Sequence, residues 1–314
     1  MMGVAMILAA ATGKAESISV DSSKVYDIDE VIVVSQPKEA FRLRQQPLSS
    51  TSFGNFEMNR LGARDLRELS SYIPNFVMPN YGSRLSSAVY VRGIGSRVNS
   101  PAIGVYVDGI PVMSKSAFNL HTYQLSRVDV LRGPQGTLYG QNTEGGLVRL
   151  YSRNAFDYQG TDVRIGYGSR RYSNLEASHY QRLGEDVALM VGGFYNAQTG
   201  FFRNTTTGER ADDYQEAGGK LMLTGRLHSG WKVNVTADYQ YVDQSAFPYG
   251  SLDLNTGKAE QPASTFPGSY RRNNLITGLT LSYDANTFSL ASTTSYQYLK
   301  DHMYMDQDYL EADY

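Results

Sequence analysis

From about residue 159 onward, apolar and polar positions alternate with a period of two. Val163, Ile165 and Tyr167 alternate with Arg164 and Gly166, and Val187, Leu189, Val191 and Tyr195 keep the same spacing. The clearest segment sets Trp231, Val233, Val235, Ala237, Tyr239 and Tyr241 against Lys232, Asn234, Thr236, Asp238 and Gln240. Leu275, Thr277, Leu279, Leu281 and Tyr283 repeat the pattern, as do Phe288, Leu290, Ser292, Thr294, Tyr296 and Tyr298. Successive strand side chains point to opposite faces, so these segments predict strands with one apolar face. Runs of roughly 10 residues with tyrosines near their ends are the signature of transmembrane strands with an aromatic girdle. Gly184-Glu185 and Asp284-Ala285-Asn286 read as tight turns, whereas residues 199–213 and 245–272 read as long polar connections. Short turns on one side and long loops on the other fit a transmembrane barrel. A soluble β-sandwich would also alternate and stays open as the alternative, although it seldom carries so many tyrosines at strand ends.

The pattern before residue 159 is different. Residues 51–155 read as a mixed α/β domain. Asn59 is placed to cap a short helix, with Ala63, Leu66 and Leu69 at helical spacing, Asp65 and Glu68 exposed, and Pro74 ending it. Strands are expected at Ala88–Gly93, at Ile103–Val107 entering an Asp108-Gly109 turn, at Val128–Arg132 and at Leu147–Tyr151. Residues 16–50 are polar except for the run Val31-Ile32-Val33-Val34, which Pro37 follows. That run fits either a buried strand or an extended segment offered to a partner's sheet edge. Residues 1–15 read as a signal peptide: the apolar run Val4–Ala11 is too short to span a bilayer, although Met1-Met2-Gly3 lacks the usual positive charge. No segment reaches ~18 consecutive apolar residues, so a membrane crossing would have to be made by a barrel.

Composition narrows the classes. Lys+Arg 29 against Asp+Glu 31 gives a net charge of -2, which removes a composition-level case for nucleic-acid binding. Tyr 24 and Gly 30 suit turn-rich β-structure, and Cys 0 excludes a disulfide scaffold and thiolate metal sites. The segment Gly133–Gly140 lacks the Lys-Ser/Thr of a phosphate loop. His121, His179, His228 and His302 are scattered without ligand spacing, so no metal site is expected. Asp306, Asp308, Glu311 and Asp313 read as a solvated loop. No serine–histidine–acid arrangement stands out, and no enzyme activity is expected.

Four segments in series carry a resemblance. They are Val89-Tyr90-Val91-Arg92-Gly93, Val105–Val112 with Asp108-Gly109 at its centre, Val128–Pro134, and Leu138-Tyr139-Gly140 through Gly145-Gly146. In order and spacing they resemble the plug of TonB-dependent outer-membrane receptors, over residues from about 28 to 155. The barrel half matches only in texture. The resemblance implies an α+β plug domain (residues 51–155) followed by antiparallel transmembrane β-barrel strands (residues 156–314). It also implies active import across the bacterial outer membrane, energised by the inner-membrane TonB complex. TonB would grip a box at Ile28, Asp29, Glu30, Val31, Ile32, Val33 and Val34. Arg92 and Arg132 would face barrel-wall carboxylates, a role suited to the planar guanidinium fork. The cargo expected is a small chelate, a ferric siderophore first, then haem, cobalamin or an oligosaccharide. It would be carried as a ligand, with no cofactor. Tyr81, Arg84 and Arg97, on apical plug loops, suit an anionic ferric chelate through stacking and charge. A passive pore or adhesin, or a soluble carbohydrate-binding protein, are the competing classes. Periodic segments after residue 159 number about seven, whereas a barrel that encloses a domain needs about 22 strands, so the barrel is expected to be incomplete.

Overall fold

In a computed structural model, the chain is described over residues 49–97, 100–285 and 287–312. The first half holds β1 (Ser49–Gly54), α1 (Asn55–Leu61), α2 (Leu66–Ser70), β2 (Phe76–Val77), β3 (Tyr90–Val91) and β4 (Ile94–Gly95). It continues with β5 (Ile103–Val107), β6 (Ile110–Pro111), β7 (Leu125–Arg132), α3 (Gly136–Tyr139) and β8 (Gly146–Ser152). Five of these strands form a mixed sheet in the order β1-β7-β8-β5-β6, with β5 and β8 parallel. A small β2-β3-β4 sheet accompanies it. The central strands are buried on both faces: Val128, Val130 and Leu131 of β7 and Leu147, Val148 and Leu150 of β8 are nearly inaccessible. Such continuous apolar runs are what a covered sheet requires. Val128, Val130, Val148 and Leu150 join Leu66, Leu69, Val91 and Ile103 in one core.

The single helix expected after Asn59 is two helices. Gly62, in the left-handed region with φ 69, ends α1. Few other residues adopt that conformation without strain. Asn59 therefore lies inside α1 rather than capping it. Asp65, expected to be exposed, is buried and caps α2 by accepting the Glu68 amide at 2.8 Å.

The second half holds β9 (Gly160–Gly168), β10 (Tyr172–Arg182), β11 (Val187–Gln198), β12 (Tyr214–Arg226) and β13 (Trp231–Ser245). Two short strands follow, β14 (Leu252–Asp253) and β15 (Lys258–Ala259), then β16 (Ser269–Asp284) and β17 (Ser289–Tyr304). Seven of them form one antiparallel sheet in the order β17-β16-β13-β12-β11-β10-β9, each joined to its neighbour in the chain. This sheet is the wall. Strand parity sorts its faces. Odd positions such as Leu175, Val191, Tyr195, Leu221, Leu223, Val235, Tyr239 and Leu279 are exposed and apolar. Even positions such as Asn174, Glu176, Asn196, Glu216, Lys220, Gln240, Arg272 and Asn274 are polar and buried. The exposed apolar face is the one a bilayer would cover, and the polar face receives the first domain. The connection expected at residues 245–272 is shorter than that, because β16 starts at Ser269 and Arg271 already pairs with Asp243 of β13. Among the described residues no helix is long and apolar enough to cross a membrane.

The first domain rests on the polar face of the wall. Ile276 of β16 belongs to its apolar core, and Leu299 of β17 packs against that core. Gly278 of β16 permits the contact, since a Cβ there would collide with the Ile110 side chain. The remaining contacts across the seam are largely polar.

Candidate functional site

The seam is built around β12. Arg84, in a short helical turn capped by the Ser83 side chain, sends its guanidinium to the wall, with Nη2 2.8 Å from both Glu216 carboxylate oxygens. Both side chains are at most one-tenth exposed. The other guanidinium nitrogen, Nη1, is 3.5 Å from Asp65 Oδ2, and Asn119 Nδ2 donates to that same carboxylate oxygen at 2.7 Å. From the wall Asn196 Nδ2 donates to Glu216 at 3.2 Å, and His121 Nε2 of the first domain lies 3.5 Å from it. Burial works against the Arg84 charge, but the Glu216 and Asp65 carboxylates outweigh it and hold the guanidinium above its ordinary value. A charge buried this deeply is tolerated only when it is paired and hydrogen-bonded.

Two strand repeats further along β12, the polarity reverses. The wall ammonium of Lys220 reaches Asp108 Oδ2 and Ser152 Oγ, each at 2.6 Å. Asp108 sits at φ 51 in the tight turn between β5 and β6, and its other oxygen accepts the Ser152 amide at 2.7 Å. Farther across the wall Gln297 acts as a surrogate strand edge: its Nε2 donates to Pro111 O at 2.6 Å and its Oε1 accepts the Met113 amide at 3.2 Å. Arg272 donates to Ser116 O, and Arg64 to the Tyr172 hydroxyl.

A second cluster lies where the long connections leave the wall. Arg97 stacks on Tyr81, with Cζ 4.4 Å from the ring centroid, and its Nη2 is 3.3 Å from the Tyr249 hydroxyl. The Tyr249 hydroxyl donates to Tyr81 O at 2.6 Å, and the Phe247 amide donates to Gly82 O at 3.0 Å. Tyr309 packs on Tyr249 at 5.1 Å between centroids. The Tyr90 hydroxyl lies 3.2 Å from that of Tyr81, and this hydrogen bond, followed by burial, pushes its pKa up. Lys115 Nζ donates to Arg97 O at 2.9 Å, and burial lowers its pKa. The result is a partly open aromatic cradle with a guanidinium on it, suited to stacking and to holding negative charge.

The site residues expected from sequence fall out unevenly. Tyr81 and Arg97 do meet. Arg84 is not available to a ligand, because it is consumed by Glu216. Arg92 is exposed on a left-handed turn, and its amide bonds Asn75 O at 2.8 Å. Arg132 Nη1 donates to Pro74 O at 2.9 Å and Nη2 to Ser50 O at 3.5 Å, so these contacts stay inside the first domain. Among the described residues, the pairing with a wall carboxylate that was expected of Arg92 and Arg132 is made by Arg84. The segment Ile28–Val34 lies outside the described residues, as does Asp313. Asp306, expected in a solvated loop, is buried and accepts the Thr265 amide at 2.9 Å. Glu216, Lys220, Arg272 and Gln297 are the residues that sequence reading missed. A signal existed for the first two, since Glu216 and Lys220 are charges that share one face of an alternating strand.

A globule held by polar contacts on the inner face of a strand sheet whose outer face is apolar defines a plugged outer-membrane β-barrel. Residues 42–147 match the TonB-dependent receptor plug domain. Over those residues the first domain is a plug of the TonB-dependent receptor kind. It is 31% identical over 128 residues to the pesticin receptor of Yersinia pestis, a match covering 40% of this chain and 19% of that protein. The fold is similar to that of the ferric yersiniabactin uptake receptor FyuA from Yersinia pestis, with a TM-score of 0.70 and 22% identity over 80% of this chain and 41% of that one. It is also similar to the ferric-catecholate import receptor Fiu from E. coli K12 in its open form, with a TM-score of 0.65 and 16% identity over 82% of this chain and 39% of that one. The chain thus spans about a fifth of the length of the curated relative and about two fifths of these solved structures.

Proposed function

We propose that this chain serves TonB-dependent import of a ferric siderophore across the outer membrane, as a receptor and not an enzyme. The observation that carries the reading is the cradle of Arg97, Tyr81 and Tyr249, formed jointly by a plug loop and a wall loop. A ligand there touches both bodies and can report its presence to the plug. A guanidinium over an aromatic ring favours an anionic, planar-edged chelate. The names of the similar receptors, for yersiniabactin and for ferric catecholates, support the siderophore class. TonB is the proposed partner, and residues 28–34 are the proposed box, an extended apolar run of the kind that adds a strand to a sheet edge. The water-replaceable seam suits a plug that has to move, because exchanging a hydrogen bond for one to water costs little net free energy.

The test is uptake and binding of iron-loaded siderophores by cells limited for iron. Arg97→Ala with Tyr81→Ala is expected to weaken binding at least tenfold while leaving the receptor folded. Deletion of residues 28–34 is expected to abolish uptake and leave binding intact. Unchanged affinity for every siderophore tried in the double variant would remove the cradle as the ligand site. Uptake that survives the deletion would remove the TonB coupling and favour a passive pore.

A further inference from the structure

The segment between β8 and β9, residues 153–159, is where the plug's chain enters the wall. It is short, and several of its groups are tied down. The Arg153 amide donates to Gln124 O at 2.9 Å, and Asn154 Oδ1 accepts the Phe156 amide at 2.8 Å. Asn154 O accepts the amides of Asp157 and Tyr158, each at 3.1 Å. The Arg153 guanidinium lies 4.2 Å from the Tyr158 ring centroid and pairs with Asp162 at 2.8 Å, and the Tyr158 hydroxyl donates to the same carboxylate at 2.6 Å. Phe156 is buried in a separate apolar cluster with Ala155, Tyr180, Ala188, Met190 and Met222, apart from the plug core.

Two wall arginines close on that phenyl ring. Arg226 Cζ is 3.9 Å from the Phe156 centroid and Arg182 Cζ is 5.6 Å from it, and Arg182 also donates to Phe156 O. Arg182 ends β10 and Arg226 ends β12. Across the intervening strand, Arg182 is in register with Ala188, and Ala188 with Thr224. The small side chain of Ala188 leaves the floor between them low. Basic residues at the rim of a membrane sheet could instead be held by lipid headgroups. Parity argues against that here. Arg182 shares the even parity of Tyr180, and Arg226 that of Met222, opposite to the apolar odd face; both arginines are exposed at their strand ends, and their guanidiniums turn over the Phe156 ring. Guanidinium and phenyl attract through the ring's quadrupole, and aliphatic carbon of equal bulk does not reproduce that attraction.

We propose that Phe156, Arg182 and Arg226 form a cation–π clamp that fixes the plug's exit segment to the wall rim at the short-turn end. The clamp makes these three positioning residues: they define the point of the plug that stays with the wall when the rest is loosened. Traction entering ahead of β1 would then strain the plug and stop at residue 156. That last consequence rests on the import reading, and the clamp itself does not.

The experiment measures tryptic cleavage after Arg153 in the full chain in detergent micelles, followed as the new N-terminus at Asn154 by mass spectrometry. Heat-modifiable gel mobility serves as the check on the wall. Phe156→Leu keeps the apolar bulk and removes the π face, and it is expected to raise the cleavage rate tenfold or more. Arg182→Gln with Arg226→Gln is expected to do the same, whereas Phe156→Trp should stay close to wild type. Cleavage of Phe156→Leu at the wild-type rate would overturn the clamp in favour of plain apolar packing. If Phe156→Leu loses its heat-modifiable mobility, the arginine pair decides: wild-type protection in Arg182→Gln with Arg226→Gln overturns the proposal, and rapid cleavage with normal mobility supports it.

Discussion

At the Arg84–Glu216 pair the carboxylate has lost nearly all contact with water, and its partners are a guanidinium, an amide and an imidazole. Removing Arg84 leaves that charge buried without its main counter-ion. Loss of one partner of a buried pair typically costs about 3–5 kcal/mol. Arg84→Ala is therefore expected to lower plug stability by that order, read as an earlier plug transition in urea while the wall remains intact. Arg84→Met combined with Glu216→Leu should cost less than the single change, because no charge is left stranded. Gly278 acts by its size. Gly278→Val would drive a side chain into Ile110, an overpacking cost of about 1–3 kcal/mol, and Ile110→Ala in the same chain should relieve it. A double-mutant cycle read by plug unfolding checks this.

Individual strands and loops carry separable tasks. β12 holds the plug through charges of both signs, Glu216 toward Arg84 and Lys220 toward Asp108, so a uniform change of surface charge on the plug cannot satisfy both. β17 uses a neutral side chain instead, and Gln297→Ala should free the Met113 amide, read as faster hydrogen exchange there with little change elsewhere. The segment after β17 is folded back by Asp306. Burial would raise the pKa of this carboxylate, but the amides of Thr265, Asp308 and Tyr309 together hold it below the ordinary value. A carboxylate whose pKa is depressed on folding contributes stability above its unfolded pKa, about 3.9 for aspartate, and loses it as pH falls through the folded value. The Thr265 and Tyr309 amides are thus expected to stay protected from hydrogen exchange near neutrality and to lose protection below about pH 4. Asp306→Asn should leave that protection weak and independent of pH.

For the molecule as a whole, the two bodies obey different packing rules. The plug has an apolar core of its own and meets the wall chiefly through ion pairs and hydrogen bonds, while the wall shows its apolar side chains outward. Much of this was legible in the sequence. Alternation with period two fixes which wall residues share a face, because strand geometry leaves no other choice, and the four plug segments point to the plug domain. The break between α1 and α2 was visible only as Gly62, whose left-handed backbone has no periodic signature. The pairing partners were not legible. Arg84, Arg97, Arg92 and Arg132 look alike in a sequence, and nothing local says that the first is spent on Glu216, 132 residues away, while the second remains open on Tyr81. Likewise Phe156 reads as one more apolar residue until Arg182 and Arg226 from two different strands arrive over its ring. Local pattern determines strand, face and turn because those depend on neighbours along the chain. Charge partners and close approaches depend on distances between segments far apart in sequence, and only the folded arrangement of plug against wall sets those.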